Sequence, residues 1–161
     1  MSLDSRSFRK ALGSFASGVT VITAIDPETD SPVGVTVSAF SSLSLDPPLV
    51  LFCLGRTGSC VSAIEAAGRF AVNILADDQR DISARFAGPV DARWRDLAWE
   101  SLSDGSPALP GALTVLECVL TRTIEGGDHL IFIGEVQTIL SRDGARPLIY
   151  QGGGYLDFPL P

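Results

Sequence analysis

His129 is the only histidine in the 161 residues, so any chemistry that needs an imidazole must pass through it. It closes the run Gly126-Gly127-Asp128-His129 at the foot of a β-patterned stretch, where a turn residue facing water would read the same way. With no second histidine and no C-x-x-C spacing among Cys53, Cys60 and Cys118, a protein metal shell cannot be completed. No G-x-S-x-G precedes a base, which argues against a serine hydrolase. Residues 33–48 offer different chemistry. Val33, Val35, Val37 and Ala39 alternate with Gly34, Thr36, Ser38 and Phe40, because strand side chains have period 2. One face reads as core, and the other as a shelf of small, hydroxyl-bearing positions that a flat ligand could approach. Ser41, Ser42 and Ser44 extend the hydroxyls until Asp46-Pro47-Pro48 ends the run. A half-buried strand followed by a serine-rich loop has the same pattern. Gly55-Arg56-Thr57-Gly58-Ser59 is the third candidate, a glycine-rich turn ahead of a helix, as phosphate cradles are. It lacks the Gly-Lys-Ser/Thr of a P-loop and the spacing of a dinucleotide fingerprint, and a plain turn needs the same residues.

The elements that must position these groups are legible in outline. Residues 3–15 predict a short amphipathic helix through Phe8, Leu12 and Phe15, capped by Ser5 or Ser7. Residues 19–25 predict a strand pairing antiparallel with residues 33–40 across a proline-bounded turn. Residues 49–54, an unbroken apolar run, predict a buried strand; a helix follows, with Ser62 and Glu65 at capping-box spacing and Gly68 as its stop. Residues 69–75 predict another strand, and Asp77 or Asp78 the cap of a helix reaching Phe86. Residues 88–111, with both tryptophans, give no periodicity. Residues 112–124 and 130–140 predict a hairpin about the Gly-Gly pair, residues 147–150 a last strand, 151–155 a loop and 157–161 an apolar tail. At least six short strands without βαβ repetition predict one mainly β domain over residues 1–161, an antiparallel barrel with peripheral helices.

The run Gly-Val-Thr-Val-Ser-Ala-Phe-Ser-Ser-Leu-Ser-Leu-Asp-Pro-Pro at 34–48 resembles the signature of the flavin reductase family, the small partner of two-component flavin-dependent monooxygenases. Phe-Ala-Ser-Gly-Val-Thr-Val-Ile-Thr at 15–23, Phe-Ala-Val-Asn-Ile-Leu at 70–75 and Gly-Gly-Asp-His-Leu-Ile-Phe-Ile-Gly at 126–134 resemble it too, so the likeness spans nearly the whole chain. It implies an antiparallel split β-barrel of the FMN-binding type, with FMN or FAD at a dimer interface. It further implies NADH or NADPH as hydride donor and a partner monooxygenase as recipient of the reduced flavin. Carried onto this chain, the resemblance assigns flavin contacts to Val35, Thr36, Val37, Ser38, Ala39 and Ser42, to Cys53, Leu54, Gly55, Arg56, Thr57 and Ser59, and to Ala84, Arg85 and Phe86. It adds Asp128 and Tyr155, and sets His129 beside the nicotinamide. Arg85 and Phe86 equally fit a surface arginine beside a core aromatic. Gln151-Gly152-Gly153-Gly154 departs from the family, many members of which carry a basic or aromatic residue before the final tyrosine. A flavoprotein of the same fold that holds FMN tightly, without free-flavin turnover, is the alternative.

Composition narrows the partners. A net charge of −7, with one lysine and scattered arginines, excludes nucleic acid, which needs clustered cations. Neither a leader pattern nor a long apolar span is present, and three unpaired cysteines suit a reducing compartment, so a cytoplasmic protein is expected. A hydrophobic fraction of 45% fits a protomer that hides surface in a second copy.

Overall fold

The computed structural model describes residues 4–157. The β-branched runs pair into one large antiparallel sheet, and the helices lie outside it. In chain order the elements are α1 (Ser5–Leu12), β1 (Ser17–Gly18), β2 (Thr20–Asp26), β3 (Ser31–Val37), β4 (Phe40–Leu45), β5 (Pro48–Gly55), α2 (Val61–Ala67), β6 (Arg69–Ile74) and α3 (Arg80–Ala87). A single 3-10 turn (Val90–Ala92) follows, then β7 (Glu100–Ser101), β8 (Pro107–Ala108), β9 (Thr114–Gly126), β10 (His129–Ser141), β11 (Ile149–Gln151) and β12 (Gly154–Leu156). Seven strands form the sheet in the order β3-β2-β6-β9-β10-β5-β4. Its two edges, β3 and β4, are joined by only Ser38 and Ala39, so the sheet must curl until the edges meet. The Cys53 amide donates to the Ala39 carbonyl at that seam. The fold is therefore mainly β and antiparallel, as the sequence predicts.

Inside the curl, Phe52 stacks on Phe132 with ring centroids 4.9 Å apart, and Phe70 meets Phe52 edge-on at 5.1 Å. Gly134 on β10 faces the Phe70 ring so closely that a Cβ would collide with it. A second cluster, including Val21, Leu75, Phe86, Leu109 and Leu148, seats α3 and the chain around 109 and 148 against the other side of the sheet.

Several local expectations give way to tertiary contacts. Asp4, not Ser5 or Ser7, caps α1, accepting the Ser7 amide at 2.9 Å, and Phe8 and Leu12 remain exposed. The residue at position 3 and the tail beyond 157 lie outside the described residues. On β5, Val50, Phe52 and Leu54 are buried while Leu49, Leu51 and Cys53 are half-exposed, so the run is apolar on both faces without being wholly interior. The capping box does not form: α2 starts at Val61 with Cys60 in the N-cap position, although Gly68 stops it in the left-handed region at φ 64°. Asp77 and Asp78 do not cap α3, because they form a turn between the Ala76 bridge and the helix, closed by the Gln79 amide donating to the Ala76 carbonyl. Ala76 bridges Pro147, the Asp77 amide donates to the Arg146 carbonyl, and Gln79 takes the cap position. The turn between β9 and β10 is Gly127-Asp128, with positive φ at Gly127 only, as a II′ turn requires. The expected 151–155 loop is a tight hairpin instead. Gly152 and Gly153 both take positive φ between β11 and β12.

Candidate functional site

The β3 ladder ends with Val37 opposite Thr20, and the amides of Ser38 and Ala39 take no part in the β2–β3 or β4–β5 pairing. Two adjoining grooves, of about 230 and 480 Å³, meet over Ser38 and Tyr150. Thr36, Ser83 and Tyr155 line the first; Leu12, Phe15, Ala39 and Phe40 line the second. Their wall is fixed by hydroxyls. Thr36 Oγ1 donates to the Ser83 carbonyl at 2.7 Å, and the Tyr155 hydroxyl donates to Ser83 Oγ at 2.8 Å. The shelf expected along Gly34, Thr36 and Ser38 is thus only partly open. A Cβ on Gly34 would come within 2.7 Å of the Phe86 ring and 3.1 Å of Trp94. The smallness of Gly34 admits α3, not a ligand, and open surface begins at Ser38.

The second half of the site is a junction between two turns. His129 pairs with Gly55 across β10 and β5, the Arg56 amide donates to the Asp128 carbonyl at 3.0 Å, and Arg56 Nε donates to the Gly127 carbonyl at 2.9 Å. Segments about 70 residues apart in sequence are locked together here. The Arg56 guanidinium, expected as a phosphate ligand, also holds Glu125 with Nη2 at 3.1 Å from Oε2, so it latches the hairpin. Thr57 and Ser59 are exposed on the turn. His129 is exposed and its Nδ1 lies 2.7 Å from Asp128 Oδ1. That hydrogen bond, and then the charge of the imidazolium, hold the Asp128 carboxyl below the usual range. With Nδ1 donating to the carboxylate, Nε2 remains for a partner.

Several other residues assigned by resemblance turn their side chains into the core. Val37 and Leu54 are buried in the core and Val35 packs against it. Phe86 is fully buried between Gly34 and Trp94, the core aromatic of the alternative reading, because α3 needs an anchor against the glycine of β3. Arg85 donates to the Arg95 carbonyl at 3.0 Å, while Ala84 and Ser42 are exposed. Burial raises the Cys53 thiol above its ordinary value and pushes Cys118 up to about 12, so neither is a thiolate nucleophile near neutrality. Three residues were not singled out: Ser83, which receives both Thr36 and Tyr155; Trp94, which covers Gly34; and Arg93. Arg93 and Trp94 lie in the aperiodic 88–111 segment, where no sequence pattern marks an inward side chain. Arg93 is buried, and its Nη1 donates to Ser59 Oγ at 3.2 Å.

Among the described residues, no three histidine, cysteine or acidic side chains are grouped to hold a metal. No helix among them is long and apolar enough to cross a membrane. The site thus combines an open hydroxyl-walled groove at Ser38 with an exposed 55–59 turn backed by the buried Arg93. Residues 12–159 match the family described as flavin reductase like domain, and the chain belongs to that family. It is 45% identical to the FMN reductase (NADH) SmoA of Agrobacterium fabrum, over 94% of this chain and 85% of that protein. Its identity to the reductase subunit HsaB of a flavin-dependent monooxygenase from Mycobacterium tuberculosis is 39%, over 95% and 82%. A probable flavin reductase of Rhizobium meliloti is 43% identical over 94% of this chain, which spans 48% of that relative's length. Among solved structures, the NADH:FAD oxidoreductase SgcE6 of Streptomyces globisporus, in complex with NAD and FAD fragments, superposes with a TM-score of 0.90. That match has 34% identity and covers 98% and 96% of the two chains.

Proposed function

We propose that this protein is an NAD(P)H-dependent flavin reductase that hands reduced FMN or FAD to a separate monooxygenase. The observation that carries the reading is the docking of the Gly127-Asp128-His129 turn onto Gly55 and Arg56, beside the seam at Ser38 and Ala39. The flavin supplies the hydride-accepting chemistry, so this chain's task is placement and electrostatics. Ser38 and Ala39 offer backbone donors at the seam, and the absence of ladder pairing between the adjoining edges β3 and β4 supports reading the curled sheet as a split barrel. Thr36, Ser83 and Tyr155 hold the groove wall, with Thr57 and Ser59 available to an anionic group. His129, oriented by Asp128, presents Nε2 to the nicotinamide. NADH oxidation by the purified protein should require added free flavin. A permanently yellow protein whose rate ignores added flavin would establish the tightly bound alternative instead.

His129→Ala should lower kcat/KM for NADH by about fivefold, shared between a lower kcat and a higher KM, as the loss of one hydrogen bond worth about 1 kcal/mol implies. Flavin affinity and Tm should hardly change. Wild-type kinetics, or a lowered Tm with unaltered kinetics, would make His129 a turn residue only.

The outer sheet face supports a homodimer. Leu49 and Leu51 on β5, Ile131 and Ile133 on β10, and Ile124 and Val119 on β9 share it by register, and all six are half-exposed or exposed. His129 and Gly55 sit at one end of the same face, so a second copy seated there would border the site. A stable pair needs about 800 Å² from each partner, and C2 pairing is the commonest solution. Sizing at micromolar concentration should give twice the 17.0 kDa chain mass. An active monomer would contradict this. The reduced state of all three cysteines also suits a cytoplasmic setting.

A further inference from the structure

Arg93 is the least expected feature of the molecule. Its side chain is buried, yet every acceptor it meets is neutral: Nε and Nη2 donate to the Gly88 carbonyl, and Nη1 donates to the Gly34 carbonyl at 2.8 Å, with Ser59 Oγ and Cys60 Sγ further out at 3.2 and 3.8 Å. No carboxylate lies within ion-pair distance of it among the described residues. Carbonyls satisfy N–H donors without cancelling the charge, and a buried, uncompensated cation is costly. A chain with a net charge of −7 has acidic side chains to spare, so the want of one here calls for an explanation. The position supplies it. This one guanidinium ties together β3 at Gly34, the end of α3 at Gly88 and the exposed 55–59 turn at Ser59, the same three segments that wall the candidate flavin site. Ser59 Oγ accepts from Nη1 and also touches Cys60 Sγ at 3.8 Å; turned outward, its hydroxyl hydrogen can donate to an anion with a positive charge directly behind it.

We propose that Arg93 supplies the fixed positive charge for the phosphate of a flavin nucleotide seated at the 55–59 turn, acting through Ser59. The inference rests on the flavin reading above and adds to it a residue that sequence alone does not single out. Arg56 is the weaker source of fixed charge, since it is exposed and shares its charge with Glu125. Arg93 is on this account a positioning residue for the ligand's anionic end, not a catalytic one.

Paired affinities for FMN and for riboflavin, the same ring without the phosphate, test the charge separately from the architecture. Wild-type protein should bind FMN more tightly than riboflavin. Arg93→Met should weaken FMN by about tenfold or more and leave riboflavin within about twofold, while Arg93→Lys should recover most of the FMN preference. Equal losses for both ligands would overturn the proposal and make Arg93 a structural clamp, as would a wild type that does not prefer FMN. If the wild type binds neither ligand, the flavin reading itself falls. Ser59 is exposed, so Ser59→Asp and Ser59→Asn keep the test open should Arg93→Met fail to fold. The aspartate, set against Arg93, should cost FMN about tenfold relative to the asparagine with riboflavin unchanged; equal FMN affinities would overturn the proposal.

Discussion

A folded Ser38→Trp protein is expected to lose flavin affinity by about 100-fold or more, equivalent to some 3 kcal/mol. Ser38 is exposed, lies outside both ladders and is shared by the two grooves, so an indole there fills the meeting point of the site without entering the core. Tm should therefore stay near that of the wild type. Ser38→Ala separates bulk from hydrogen bonding and should cost only about 1 kcal/mol, because the backbone donors at the seam remain. Fluorescence quenching of FMN with both variants gives the measurement. Unchanged affinity in folded Ser38→Trp would show that the ligand sits elsewhere.

Phe86→Ala should be the most destabilising of these changes, by about 3–5 kcal/mol, the usual range for emptying a buried aromatic site. In a chain of this length that lowers Tm by about 10 °C. The ring is fully buried, meets Trp94 edge-on at a centroid distance of 4.9 Å, and occupies the space that Gly34 leaves on β3. Phe86→Leu, which keeps most of the volume, should cost far less. If Phe86 reached the flavin directly, the alanine variant would instead lose affinity with little change in Tm. Denaturant melts and FMN titration on the same preparations distinguish the two.

Both predictions turn on one strand that the sequence reads only in part. Its alternation of Val33, Val35 and Val37 with Gly34 and Thr36 is local, since the pleat alone dictates it, and the core-facing half appears as expected. What covers the opposite face is not local. Gly34 reads as an opening for a ligand until α3 arrives from more than 40 residues away and places Phe86 over it.

Local sequence determined the longer strands β2, β3, β5, β6, β9 and β10, the Gly127 turn, the Gly68 helix stop and the mainly β class, because each follows from side-chain period or backbone freedom within a few residues; β4, β7, β8 and β12 are not legible that way. The sequence also carried the family, through motifs whose order spans the chain. Tertiary structure decided which of those motifs touch. Pairing of β5 with β10 set His129 opposite Gly55; Glu125 claimed Arg56; the bridge of Ala76 to Pro147 held Asp77 out of α3; and the 88–111 segment folded inward to bury Arg93 behind Ser59. Each of these is a contact between segments distant in sequence, fixed by sheet curvature and core packing, which no local spacing encodes.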